Sequence, residues 1–286
     1  MHRYILTLSC ADRPGIVAGV SQSLAAQELN IVESAQFGDA DSQRFFMRVA
    51  FDSAAPITQA DFAALFTSVA DIFDMDWQFF DTQKPPRSLI LVSKFDHCLM
   101  DLVYRARKGS VKLDIAAIMS NHQAGRHWAD MFDIPYHYWP GEGAHGKANR
   151  AETEAKLLAL IEEEQIELVV LARYMQILSP QVTEKMSGRI INIHHSFLPS
   201  FKGAEPYSRA YQRGVKMIGA TAHFVTADLD EGPIITQGVA PIRHDMRVPD
   251  LVDVGREVEQ RTLARAVRLY SERRVLLNGL KTVVFE

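Results

Sequence analysis

Two polar side chains in one short apolar run have the equipment for carbonyl chemistry. In Ile190-Ile191-Asn192-Ile193-His194, strand alternation puts Ile191 and Ile193 on one face and Asn192 and His194 together on the other. An amide donor beside an imidazole can polarise a carbonyl, hold its oxyanion and shuttle a proton, as acyl transfer and amide hydrolysis require. A second cluster runs from Ala222 to Pro233 and contains His223, Asp228, Asp230 and Glu231. A carboxylate beside His194 would orient the imidazole, take a proton from an incoming water or amine and stabilise the cation. Composition does not separate Asp228, Asp230 and Glu231, and the plain alternative is a solvated acidic turn. His194, His195, His223 and Asp230 are also metal-ligand types. Adjacent histidines on a strand point to opposite faces, however, and neither an HExxH nor a cysteine pair is present. No metal and no cofactor are expected.

Ligand sites in parallel sheets lie beyond the carboxyl ends of the strands, so a sheet must place these clusters. From Ser88 onward strands and helices alternate: strand 89–92, helix 97–108, strand 113–119, helix 125–132, strand 134–138 and helix 150–165. There follow strands near 168–172, 190–193, 218–225 and 234–242, then a long helix over 248–274 and a turn at Asn278-Gly279. This is an α/β rhythm with a mostly parallel sheet. The segments to inspect follow Ala172, Ile193 and Val225. After Ala172, Met175, Ile177 and Leu178 have the character of an apolar slot for a flat ligand.

Residues 1–83 differ in charge, with 4 basic and 11 acidic side chains, net −7, against +3 for the remainder. Pro85 and Pro86 fall between them, so 84–87 is expected to be an extended linker. The first segment reads as strand 4–9, a helix with Asp12 as N-cap and Ile16, Val17, Val20 and Leu24 on one face, then strands 31–37 and 43–51. In the second of these strands Phe45, Met47, Val49 and Phe51 alternate with more polar neighbours. A helix carrying Phe62, Leu65, Phe66, Val69 and Phe73 and a strand with Met75, Trp77 and Phe79 complete βαββαβ, a ferredoxin-like pattern. With Asp12-Arg13-Pro14-Gly15-Ile16 and Leu29-Asn30-Ile31, this segment resembles an ACT domain. The resemblance implies self-association and an amino-acid effector site at Asp12, Arg13, Gly15, Asn30 and Ile31.

The 286 residues are 47% hydrophobic, with formal net charge −4, which disfavours disorder and a nucleic-acid partner. Nothing reads as a signal peptide or membrane span. Cys10 and Cys98 lack metal spacing and suggest a reduced, cytoplasmic setting.

Asn192-Ile193-His194, Asp230 36 residues later and Leu171 to Pro180 upstream together resemble the formyltransferase fold family that uses 10-formyltetrahydrofolate, over residues 88–286. The resemblance implies that Asn192 holds the formyl oxygen, His194 shuttles protons and Asp230 positions the attacking group. It also implies that the pterin lies between the loop of Tyr174, Met175, Gln176, Ile177 and Leu178 and the loop holding Val225, Ala227 and Leu229. His223 falls near the same centre, and Ser196 to Ala204 would flank its mouth. Two departures narrow the branch. The first strand leads into Ser93-Lys94-Phe95-Asp96-His97-Cys98, with no glycine to admit an acceptor's phosphate, and only 56 residues follow Asp230. His97-Cys98-Leu99, His194 to Pro199, Ala204 to Tyr207 and the ACT-like segment resemble the deformylase branch, in which water replaces the amine. The implied reaction is hydrolysis of 10-formyltetrahydrofolate to formate and tetrahydrofolate. Transfer to an unphosphorylated amine and a non-catalytic folate sensor are the alternatives.

Overall fold

The computed structural model describes residues 1–140, 150–198 and 206–286. It comprises two compact units, Met1–Pro85 with Glu272–Glu286, and Pro86–Ser271. In the first, β1 (His2–Ala11), α1 (Ile16–Ala25), β2 (Asn30–Asp39), β3 (Arg44–Ser53), α2 (Gln59–Phe73) and β4 (Asp76–Asp81) form an antiparallel sheet of order β2-β3-β1-β4. This is the expected βαββαβ arrangement. Its core stacks Phe62 on Phe79 with centroids 4.3 Å apart and buries Ile16, Val20 and Leu24 of α1, whereas Val17 faces solvent. The expected N-cap is corrected. Asp12 is still tied to the strands through its N–H, which bonds the Gln43 carbonyl at 2.9 Å, and its side chain makes no cap bond to the helix. Gly15, at φ 99°, takes the cap position without a side-chain bond, in a left-handed conformation that favours glycine.

The second unit contains β5 (Arg87–Val92), α3 (His97–Arg107), β6 (Asp114–Ser120), α4 (Arg126–Met131), β7 (Tyr136–Tyr138), α5 (Arg150–Glu163) and β8 (Leu168–Leu171). It continues with α6 (Pro180–Lys185), β9 (Ile190–His194), α7 (Pro206–Arg213), β10 (Met217–Phe224), β11 (Ile234–Pro241) and α8 (Val248–Ser271). The sheet order is β11-β10-β9-β8-β5-β6-β7. Strands β7, β6, β5, β8 and β9 are parallel, and β10 and β11 add antiparallel at one edge. The chain leaves β5 toward β7 and returns to β8 on the other side of β5, so the order reverses between β5 and β8, where such sheets open a crevice. Among the described residues no helix is long and apolar enough to cross a membrane.

The expectation that residues 88–286 form one unit needs correction. After α8 the chain forms a hairpin, β12 (Val275–Asn278) with β13 (Lys281–Val284), and this hairpin belongs to the first unit. It is held there by burial. Phe46, on the face of β3 read as the more polar one, is fully buried with Val283 and Phe285. Arg48 on the same face is 3% exposed; its Nη1 lies 3.1 Å from Glu33 and its Nε donates to the Glu272 carbonyl at 3.1 Å. A buried guanidinium needs such partners, and the C-terminal segment supplies one of them.

Candidate active site

Register explains how the two expected clusters meet. Strand β10 pairs antiparallel with β9 so that His223 lies opposite Asn192 and Thr221 opposite His194. Side chains on directly opposed residues share one face, and Asn192 Nδ2 lies 3.2 Å from His223 Nε2. His223 Nδ1 donates to the Phe224 carbonyl at 2.8 Å. Burial holds the imidazole below its ordinary pKa, so the ring is neutral with its proton on Nδ1. Its Nε2 therefore accepts one of the two Asn192 amide hydrogens, leaving the other for a ligand.

After β10 the chain turns back through Thr226 to Gly232, and Asp230 sits in this turn at φ 57°. An aspartate tolerates that left-handed geometry better than most residues. Gly232 permits the close return, because a Cβ there would lie 1.7 Å from the Phe224 carbonyl oxygen. The turn brings Asp230 Oδ1 to 3.2 Å from His194 Nδ1 and 3.8 Å from His223 Nε2. The bond to His194 holds the Asp230 carboxyl below its ordinary pKa against the opposing effect of burial. Of the three acidic candidates, Asp230 is the one beside the imidazole. His194 Nε2 is buried and has no hydrogen-bond partner among the described residues.

These groups line a cleft of 690 Å³ at the carboxyl ends of β8 and β9. Tyr174, Met175, Gln176, Ile177 and Leu178 form one wall, and Val225, Ala227, Leu229 and Asp230 another. Met175, Ile177 and Leu229 are more than half exposed, so apolar surface faces the opening, as a flat ligand site requires. The Tyr174 wall is anchored by the Met175 N–H, which donates to Ser93 Oγ at 3.0 Å. Burial pushes the Tyr174 hydroxyl up to about 12. Pro199 to Ala204, expected at the mouth, lie outside the described residues.

The reasoning that separated His194 from His195 also needs correction. Strand β9 ends at His194 and the chain bends, so the two rings stack with centroids 5.1 Å apart and both line the cleft. Burial, with the Arg173 charge nearby, pushes the His195 imidazole from the ordinary 6.5 down to about 4. The folded protein thus keeps His195 neutral while the unfolded chain takes up a proton below 6.5. The stability due to this difference is complete above pH 6.5 and is lost as pH falls toward 4. Urea unfolding is expected to show about 2 kcal/mol less stability from His195 at pH 4.5 than at pH 7. A His195→Gln variant should lose that part of the pH dependence.

Other lining residues were not singled out as site residues in the sequence: Phe95, His97, Arg173, Tyr207, Arg256 and Glu259. Among the described residues, one group of side chains, His97, Cys98 and Glu259, is close enough to share an ion. His97 Nε2 already lies 2.8 Å from Glu259, and burial holds the Cys98 thiol well above its ordinary pKa. The site needs no ion to satisfy these groups.

The effector candidates are placed in the first unit. Asp12 Oδ2 lies against Gly38, where a Cβ would come within 2.7 Å. Arg13 stacks 4.8 Å from the Phe73 ring centroid and donates to the Ile72 carbonyl. Asn30 is exposed at the start of β2 and Ile31 packs partly buried against the core.

Comparison with known proteins identifies the family. The Formyl transferase family profile matches residues 86–267. The formyltetrahydrofolate deformylase of Bacillus subtilis is 45% identical over 98% of this chain and 93% of its own. The crystal structure of the Burkholderia mallei formyltetrahydrofolate deformylase superposes with TM-score 0.94 at 46% identity, covering 100% of both chains. The glycinamide ribonucleotide transformylase 1 of Symbiobacterium toebii matches 71% of this chain and 95% of its own, at 29% identity and TM-score 0.65. The partial match carries the formyltransferase fold, while the nearly full-length matches include the N-terminal segment as well. With sequence and fold in agreement over nearly the whole chain, this chain belongs to the formyltetrahydrofolate deformylase family.

Proposed function

We propose that the cleft hydrolyses 10-formyltetrahydrofolate to formate and tetrahydrofolate, with Asn192, His194 and Asp230 as catalytic residues. The observation that carries this reading is the Asp230 carboxylate 3.2 Å from His194, beside an asparagine with a free amide hydrogen and below an apolar slot. The pterin lies between the Tyr174 to Leu178 wall and the Val225 to Leu229 loop. The formyl oxygen takes the second Asn192 N–H, and His194 Nε2–H donates to the same oxygen as charge develops there.

Asp230 accepts a proton from water as the water oxygen bonds to the formyl carbon. When the tetrahedral intermediate collapses, the bond from carbon to N10 breaks and N10 takes the His194 Nε2 proton. Asp230 releases its proton to solvent, solvent returns one to His194 Nε2, and formic acid releases its own proton to solvent. Water and the amide therefore suffice, with no cofactor or metal in any step. The test is release of formate and tetrahydrofolate by the purified chain with no amine present. Stoichiometric release is the expected result, and binding of the substrate without turnover would overturn the reading.

The first unit extends the proposal. Its ferredoxin-like sheet, with Gly15 at the turn into α1 and Asn30 exposed at the start of the edge strand β2, suits an amino-acid effector site and self-association of the chain. Arg13 is already engaged by Phe73 and the Ile72 carbonyl, so a ligand would meet the backbone of this turn before that side chain. The unpaired Cys10 and Cys98 suit a reducing cytoplasm.

A further inference from the structure

The proposed hydrolysis uses one side of the cleft, and the other side is chemically closed. Glu259 projects from α8 with 1% of its surface exposed. Its Oε1 accepts the Tyr207 hydroxyl at 2.6 Å and its Oε2 lies 2.8 Å from His97 Nε2. Arg173 Nε lies 3.4 Å from Oε2. Burial would raise the Glu259 carboxyl, but the His97 bond, the Arg173 charge and the Tyr207 bond together hold it below its ordinary pKa. It is a carboxylate with a donor on each oxygen and almost no surface left open.

The fold makes room for this arrangement. Gly255 lies one helical turn before Glu259, and a Cβ there would come 2.2 Å from the Tyr207 hydroxyl oxygen and 2.3 Å from its ring. The bare helix surface admits the tyrosine. The Arg173 and Arg256 guanidinium groups lie 5.9 and 5.8 Å from the centroid of the Phe95 ring, so the cations also lean on protein groups.

An amine acceptor larger than water needs a docking partner beside the formyl carbon. A buried carboxylate lining the same cleft as His194 and Asp230 would be that partner for an N–H or O–H donor carried by the acceptor beside its neutral amine, such as an amide N–H, if an oxygen were free. We propose that Tyr207 and His97 decide the nucleophile: by occupying both oxygens of Glu259 they deny an amine its anchor and leave the formyl group to water. They are specificity-determining residues on this reading, which rests on the hydrolytic function proposed above. With an amine, the balance is closed by the same groups. The amine nitrogen bonds to the formyl carbon and gives a proton to Asp230, while the bond to N10 breaks and N10 takes the His194 proton.

The experiment follows both products in one reaction. The intact chain is given 10-formyltetrahydrofolate and a fixed excess of glycinamide, a small primary amine, and formate and N-formylglycinamide are quantified together. Tyr207→Phe keeps the ring on Gly255 and frees Oε1, and it should raise the ratio of formylated amine to formate at least tenfold over wild type. His97→Asn removes the shorter Oε2 contact from a different element, leaving only Arg173 beside that oxygen, and should shift the ratio the same way. It also serves if the Tyr207 variant fails to fold, as thermal unfolding will show. Folded variants that release formate at an unchanged ratio would overturn the inference while leaving the hydrolytic reading intact. Absence of formate from the wild type would overturn that reading and the inference with it.

Discussion

Replacing Asp230 by asparagine is expected to lower formate release by roughly 10³-fold, within the span assigned to a positioned general base. The substitution is nearly isosteric, and asparagine accepts the φ of 57° that Asp230 adopts, so the turn is retained. What is lost is the negative charge. His194 Nδ1 would face an amide at the present 3.2 Å with no stabilisation for an imidazolium, and the attacking water would have no base. The hydrogen bond from His194 depresses the Asp230 carboxyl from 3.8, so the group remains ionised throughout the neutral and mildly acidic range. Protonation of Asp230 therefore lowers the rate only as pH falls below about 4, and an acid limb at higher pH belongs to another group. Initial rates in the variant, with substrate affinity from equilibrium binding, make the check. Turnover within tenfold of wild type would remove Asp230 from the role of base.

Much of this site was legible because its residues lie in local patterns. The alternation in β9 paired Asn192 with His194, and parallel-sheet logic pointed to the segments after β8, β9 and β10. The choice of Asp230 among three acidic neighbours depended on family resemblance, since the deciding distance comes from a turn closed by Gly232 on the Phe224 carbonyl. The partnership of Asn192 with His223 depends on the register between β9 and β10, a long-range property that short-range periodicity does not encode.

Where local rules misled, an interaction distant in sequence had overridden them. Alternation in β3 put Phe46 and Arg48 on the more polar face, but the C-terminal hairpin covers it, and a strand cannot announce a cover more than 200 residues away. The bend after β9 ended the alternation that had been extended to His195. A signal for the closed side of the cleft was present in α8, where Glu259 falls among Leu251, Gly255, Val258, Thr262 and Leu263 on the buried face. Lone carboxylates at such positions are rarely tolerated without partners, so this one pointed to donors elsewhere in the chain, which are Tyr207, His97 and Arg173.

Removal of the Asn192 amide should be nearly as damaging as loss of the base. An Asn192→Ala variant is expected to lose about 10²–10³-fold in kcat, the range found when one oxyanion donor is deleted. Asn192 Nδ2 is already aligned by its 3.2 Å contact with His223 Nε2, and His223 is itself fixed through the Phe224 carbonyl at 2.8 Å. The donor is thus held in place before substrate arrives, and no reorganisation opposes its use in the transition state. Because the oxyanion bears full charge only after attack, the amide bond strengthens along the reaction coordinate. Its loss should reduce kcat and kcat/KM together while KM stays within a few-fold of wild type. A residue that served only to pack β9 against β10 would alter thermal stability and KM without this selective fall in kcat. Steady-state kinetics beside a melting curve separate the two outcomes, and a variant with unchanged kcat would show that the formyl oxygen is held elsewhere.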